Sequence, residues 1–114
     1  MEQVDAAHFE PKRIVPEKKE AGFSRILSGP PESAAMHAGL VRLRPGETVG
    51  VHSTERKEEL IIVLEGRGDF VVSGRKPVEI REGTFFYCPP DTEHDVHNTG
   101  TAILKYVYVV SRAV

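Results

Sequence analysis

From residue 33 onward the chain is cut into short apolar runs by turn signals at Pro45-Gly46, Ser73-Gly74, Glu82-Gly83 and Asn98-Thr99-Gly100. Runs this short do not make helices of ordinary length, and none carries a stripe at helical spacing, so the segment must fold as strands joined by turns. The pattern predicts strands over 35–43, 48–52, 59–64, 69–72, 78–80, 84–88, 94–97 and 102–110. Short antiparallel strands leave open edges that invite association unless they close into a barrel or pack as two sheets. The expected fold class is therefore all-β, a jelly roll or small barrel.

With 114 residues, 39% of them hydrophobic, the chain has room for one domain that buries about 65% of its unfolded surface. Residues 1–22 are polar and broken by Pro11 and Pro16, which predicts an arm preceding a body over 23–114. A formal charge of −2 offers no positive field for phosphate backbones, so nucleic acid is not an expected partner. The longest apolar runs, 60–64 and 106–110, fall far short of the roughly 20 residues of a spanning helix, and no membrane is expected either. Charges fill the start of the chain, and Cys88 is the one cysteine. Together they predict a cytoplasmic protein without an internal disulfide.

Strand side chains alternate between faces. If Glu59 points inward, Ile61 and Val63 do too, while Leu60, Ile62 and Leu64 point out. The run from Val107 to Val110 is likewise apolar at both parities. A sandwich needs only one buried face, so the outer set should meet a second chain, giving a homodimer, or lie beneath the N-terminal arm.

The same alternation sets His52 and Thr54 on one side of their strand, and Glu59 begins the next strand after the charged connection Glu55-Arg56-Lys57-Glu58. If the two strands form a hairpin, His52, Thr54 and Glu59 lie close together. A third contributor is expected from TFFYCPPDTEHDVHN, where one strand ends at Pro89-Pro90 and His94 opens the next. Two imidazoles and a carboxylate on rigid strands are a donor set for a divalent first-row metal with positions left open.

These residues carry a family resemblance. The stretch from Gly46 through His52 and Glu59 to Gly66 resembles the first cupin motif: glycine, five residues, His-x-His, four residues, Glu, six residues, glycine. Gly83, Pro89, His94 and Asn98 resemble the second: glycine, five residues, Pro-x-Gly, two residues, His, three residues, Asn. The resemblance spans about residues 35–110 and implies a double-stranded β-helix, or jelly-roll barrel, with one internal metal. The implied ligands are His52, Glu59 and His94. Thr54 stands where the family usually has its second histidine, and Asp91 replaces the glycine of the second motif. A threonine hydroxyl is a poor substitute for imidazole, so at best three protein ligands remain.

The resemblance implies a divalent transition metal (Fe, Mn, Ni or Zn) that holds a small polar molecule, with dioxygenase, isomerase or lyase chemistry all open. A non-enzymatic ligand-binding, sugar-binding or sensor barrel is the alternative. So is a metal-free barrel whose histidines are satisfied by Thr54 and Glu59. His37 is the candidate for moving protons if the chain is an enzyme. His97, three residues from His94, should face away from the site. Cys88 is expected as a small buried hydrophobe, Glu58 as solvated, and Phe85, Phe86, Tyr87 and Tyr106 mostly as core.

Overall fold

The computed structural model describes residues 9–113, so the first part of the expected arm lies outside the described residues. Among these residues there are nine strands and no helix: β1 (Gly22–Ser28), β2 (His37–Leu43), β3 (His52–Ser53), β4 (Lys57–Glu65), β5 (Arg67–Val72), β6 (Val78–Arg81), β7 (Phe85–Cys88), β8 (Glu93–His97) and β9 (Leu104–Arg112). All pairings are antiparallel. They make a five-stranded sheet in the order β1-β2-β9-β4-β7 and a four-stranded sheet in the order β3-β8-β5-β6. The inner faces meet in one core, to which the larger sheet gives Val41, Leu43, Ile61, Val63, Leu104 and Tyr106 and the smaller gives Phe70, Ile80 and Val96. This is the expected all-β, two-sheet jelly roll.

Parity along β4 is as expected: Glu59, Ile61 and Val63 are buried, while Leu60 and Leu64 are exposed. The register aligns Leu60 with Tyr87 and Val109, and Ile62 with Phe85 and Val107. Phe85 and Tyr87 are thus on the outer face, 67% and 55% exposed, and not in the core where their apolar character pointed. Only Phe86 and Tyr106 of that aromatic set face inward, because two adjacent residues of a strand cannot share a face. Toward β1 the outer face is covered. Ser24 and Leu40, paired across β1 and β2, are both buried, and the Ser24 hydroxyl donates to the Glu17 carbonyl at 2.8 Å, so the arm crosses there.

Two elements depart from the sequence expectation. β1 has no clean alternation to reveal it: GFSRILS pairs with β2 through a register shift between Arg25 and Leu27. The expected strand over 48–52 shrinks to β3, with Thr48 forming a lone bridge to His97. Nor is it hairpin neighbour to β4. β3 pairs with β8, and β4 belongs to the opposite sheet. The chain turns out of its extended path at Gly50 (φ 94) and Glu55 (φ 55), left-handed positions that let the short connection cross from one sheet to the other.

Asn98 closes the far end of the site-bearing strands. Its side-chain amide donates to the Leu43 carbonyl at 2.8 Å and the Ala102 carbonyl at 2.9 Å, and its oxygen accepts from the Gly100 N–H at 2.9 Å. The residue is 3% exposed, so water cannot replace these bonds. Asn98→Ala is expected to lower stability by about 3 kcal/mol, seen as an earlier urea midpoint, because it strands buried backbone groups. An unchanged midpoint would contradict this role.

Candidate metal centre

His52 and His94 are direct cross-strand partners in β3 and β8, with ring centroids 4.1 Å apart and planes tilted by 58°. Glu59 reaches the same point from β4, in the facing sheet. The site is therefore built across the interior, one sheet supplying both imidazoles and the other the carboxylate. One ligand atom from each of the three lies within 4.8 Å of the others, a group able to hold a metal ion.

The ring orientations are set by backbone. His94 Nδ1 lies 3.0 Å from the Thr92 carbonyl and His52 Nδ1 lies 2.9 Å from the Gly50 carbonyl. A carbonyl only accepts, so each Nδ1 carries a hydrogen and each Nε2 is left as the ligating nitrogen. His94 Nε2 stands 3.1 Å from Glu59 Oε1. Two ligands held cis on one ion at about 2.1 Å each have this separation. It also puts two acceptor atoms face to face, which requires a proton or a cation between them. Burial draws the His94 pKa down, but the Glu59 hydrogen bond, the Thr92 carbonyl and the Glu59 and Asp95 charges outweigh it, and the net shift is upward. The imidazole thus draws in positive charge, and its ring is fixed by stacking on Phe70 at 5.0 Å. Cys88 Sγ lies 3.9 Å from His94 Nδ1. Burial first, then the Glu59 charge, pushes this thiol up to about 11, in keeping with the inert, apolar role expected of it.

Thr54 is not a ligand. Its hydroxyl donates to the Pro89 carbonyl at 2.9 Å and accepts from the Thr92 N–H at 3.1 Å, so its one proton is committed to Pro89 and His52 is not its partner. The Thr54 N–H also donates to the Thr92 carbonyl at 3.2 Å, and the Asp91 N–H to the Glu55 carbonyl. The threonine therefore latches the β3–β4 connection to the β7–β8 turn, the two segments that bear His52 and His94. Asp91 takes φ 53, the left-handed conformation for which glycine is otherwise used and which aspartate tolerates.

The three ligands open onto a cavity of about 590 Å³ whose wall includes Phe23, Lys57, Tyr106, Tyr108 and Val110. Tyr106 and Tyr108 have raised pKa values, from burial first and then from the Glu59 charge, so both stay neutral phenols. Phe23, from the unforeseen β1, stacks with Tyr108 at 6.1 Å. A Cβ at Gly39 would run into both rings, so a glycine inside an apolar strand was the available signal for this wall. His37 is not among the residues lining the cavity; it begins β2 opposite Val110, with its ring beneath the Gly29 turn. His97 is on the outer face, as expected, with Nε2 2.9 Å from Asp95 Oδ2.

Comparison with known proteins agrees with this geometry. The family model for the cupin domain matches residues 39–110. An oxalate-binding protein of Thermotoga maritima is 33% identical over 98 residues, covering 82% of this chain and 77% of the relative. A solved structure from Thermotoga maritima, described as a predicted oxalate decarboxylase, superposes with a TM-score of 0.73 at 26% identity, covering 87% of this chain and 93% of the other. An RmlC-like cupin with a double-stranded β-helix fold from Methanocaldococcus jannaschii gives 0.75 at 17% identity over 90% and 94% of the two chains. Two facing sheets, both motifs in register and a His-Glu-His cluster between them make this chain a member of the cupin family.

Proposed function

We propose that the chain holds one divalent transition metal through His52, Glu59 and His94 and binds a small carboxylate anion there, with oxalate as the reference ligand. The observation that carries the reading is the convergence of two backbone-oriented Nε2 atoms and a buried carboxylate at the wall of the cavity. When bound, the metal would supply Lewis acidity and open positions for anionic oxygens. The surrounding side chains then set the charge. Two neutral imidazoles and one carboxylate beside a divalent ion leave a single net positive charge, and Lys57 in the wall adds another. Among the described residues Lys57 forms no ion pair. Glu55, also at the wall, is exposed and screened by water. The neutral phenols of Tyr106 and Tyr108 add hydrogen-bond donors. This favours a small dianion over a sugar, and the relative named an oxalate-binding protein points the same way.

A second proposal concerns the outer face of the larger sheet. Leu60, Leu64, Phe85 and Tyr87 are exposed, and the register joins them with Ile62, Val107 and Val109 into one apolar surface, which a second copy, related by a two-fold axis, would cover.

Protein purified without added metal should contain, or take up, about one equivalent of a first-row ion, and His94→Ala about a tenth of that or less. The loaded protein should bind oxalate in calorimetry, with Lys57→Met weakening it about tenfold, a loss of 1.4 kcal/mol, and formate less. Wild-type protein that takes up no metal overturns the reading.

Metal must displace the proton that His94 holds above the ordinary imidazole range. Affinity is therefore expected to rise as pH climbs through that raised pKa and to fall about tenfold per unit below it, as pH-resolved metal titrations would record. A flat profile would contradict the proton-for-metal exchange.

Light scattering should give twice the 12.6 kDa of one chain for the wild type, and Phe85→Glu should shift it to the single-chain mass. A wild-type monomer at micromolar concentration sinks the dimer proposal.

A further inference from the structure

Asp95 is a buried carboxylate that the metal centre does not use directly. Its side chain is 9% exposed. One oxygen, Oδ1, accepts from the Gly50 N–H at 2.9 Å and from the Val96 N–H at 2.7 Å. The other faces His97 Nε2 at 2.9 Å. The bond to Gly50 joins positions 45 residues apart, so it is a tertiary clamp on the segment leading into β3.

The clamp falls on a residue with no side chain to hold its shape, between the Val49 N–H bonded to the Val96 carbonyl at 3.2 Å and the pairing of His52 with His94. Gly50 sits at φ 94, in open space where a Cβ would meet nothing within 4 Å. Steric contacts therefore do not fix it, and glycine has wide conformational freedom. The same residue's carbonyl accepts from His52 Nδ1 at 2.9 Å. Asp95 anchors the 49–50 peptide through the Gly50 N–H, and the pairing of His52 with His94 anchors the chain two residues on. Between these two anchors the Gly50 carbonyl, in the next peptide plane, is confined, and the carbonyl selects which nitrogen of His52 faces the cavity.

The two histidines differ in how much they need this. His94 is 2% exposed, stacked on Phe70 and bonded to Thr92 and Glu59. His52 is exposed, and its ring is oriented by Gly50 and by the neighbouring His94 ring.

We propose that Asp95 is the positioning residue for His52, acting through Gly50 to hold its Nδ1–H form with Nε2 aimed at the metal position. This rests on the metal reading above for its consequence, but not for the orientation itself. Outer partners that orient a metal-ligating histidine are generally worth 10–100-fold in affinity.

The test has two readouts on the same proteins. With Co²⁺ alone as probe, Asp95→Ala should bind about 10–100-fold more weakly than the wild type. In the metal-free proteins, imidazole nitrogen NMR at alkaline pH should show His52 as the Nδ1–H tautomer in the wild type and as a mixture in Asp95→Ala. His94, bonded to the Thr92 carbonyl, should keep its tautomer in both and so serves as the internal control for folding. A merely structural loss would disturb both histidines. If Asp95→Ala does not fold, Asp95→Asn keeps the shape and an acceptor but gives up the charge, which roughly halves the bond strength. It should then show the same His52-specific change with a smaller affinity loss. Co²⁺ affinity within twofold of wild type in the folded variant, or an unmoved His52 tautomer, overturns the proposal. A wild type that binds no Co²⁺ yet shows the tautomer shift in the variant overturns the metal reading and leaves the Asp95 assignment standing.

Discussion

The rest of the site is arranged around a single buried carboxylate. Glu59 enters the interior on the same strand face as Ile61 and Val63 and is only 7% exposed. An ionised carboxylate in such a place is tolerated only when a partner takes up its charge. Here that partner is His94, 3.1 Å away and presented from the opposite sheet. The pair therefore ties the two sheets together at the same point where a cation could replace the shared proton. Stability and ligand binding are exerted by the same atoms, and this is why the centre lies between the sheets and not at a loop tip.

Much of this was legible in the sequence. Two spaced motifs named three ligands, and the structure brings all three together. Strand parity in LIIVL correctly divided core from outer face. The hairpin that was to join His52 to Glu59 does not exist, because left-handed positions at Gly50 and Glu55 redirect the chain, and Glu55 carries no signal for such a conformation. The convergence is nonetheless achieved, through the His52–His94 pairing. β1 is not legible in the sequence because its register shift breaks the alternation that marks a strand. Phe85 and Tyr87 depart for the opposite reason: hydrophobicity predicts burial, but the register pairs them with Ile62 and Leu60 on the outer face. His37, promising by residue type, pairs with the wall residue Val110 but is itself not among the residues lining the cavity, its ring lying against the Gly29 turn.

Thr54 shows what the loss of a ligand can leave behind. Its hydroxyl spends its proton on Pro89 and its acceptor capacity on Thr92. An imidazole at this position, aimed inward, could not make that latch in the same way. Where the cupin motif usually has a histidine, this chain has a connection between the segments that carry its two histidines. If a metal binds as proposed, three protein ligands would leave more of its coordination sphere to an incoming anion.

On the proposed reading, the wall is better suited to holding an anion than to transferring protons to one. General acid–base turnover needs a group near the reacting atoms that gains and loses a proton close to working pH. Burial and the Glu59 charge push Tyr106 and Tyr108 away from that range. His52, His94 and Glu59 are engaged with each other or with a cation, and Lys57 contributes positive charge at the wall. The phenols and Lys57 are groups that attract and orient negative oxygen. Such a cavity would, on the same reading, act as a receptor for a small acid, and any chemistry on that acid would come from a bound metal's reactivity rather than from proton transfer by the walls.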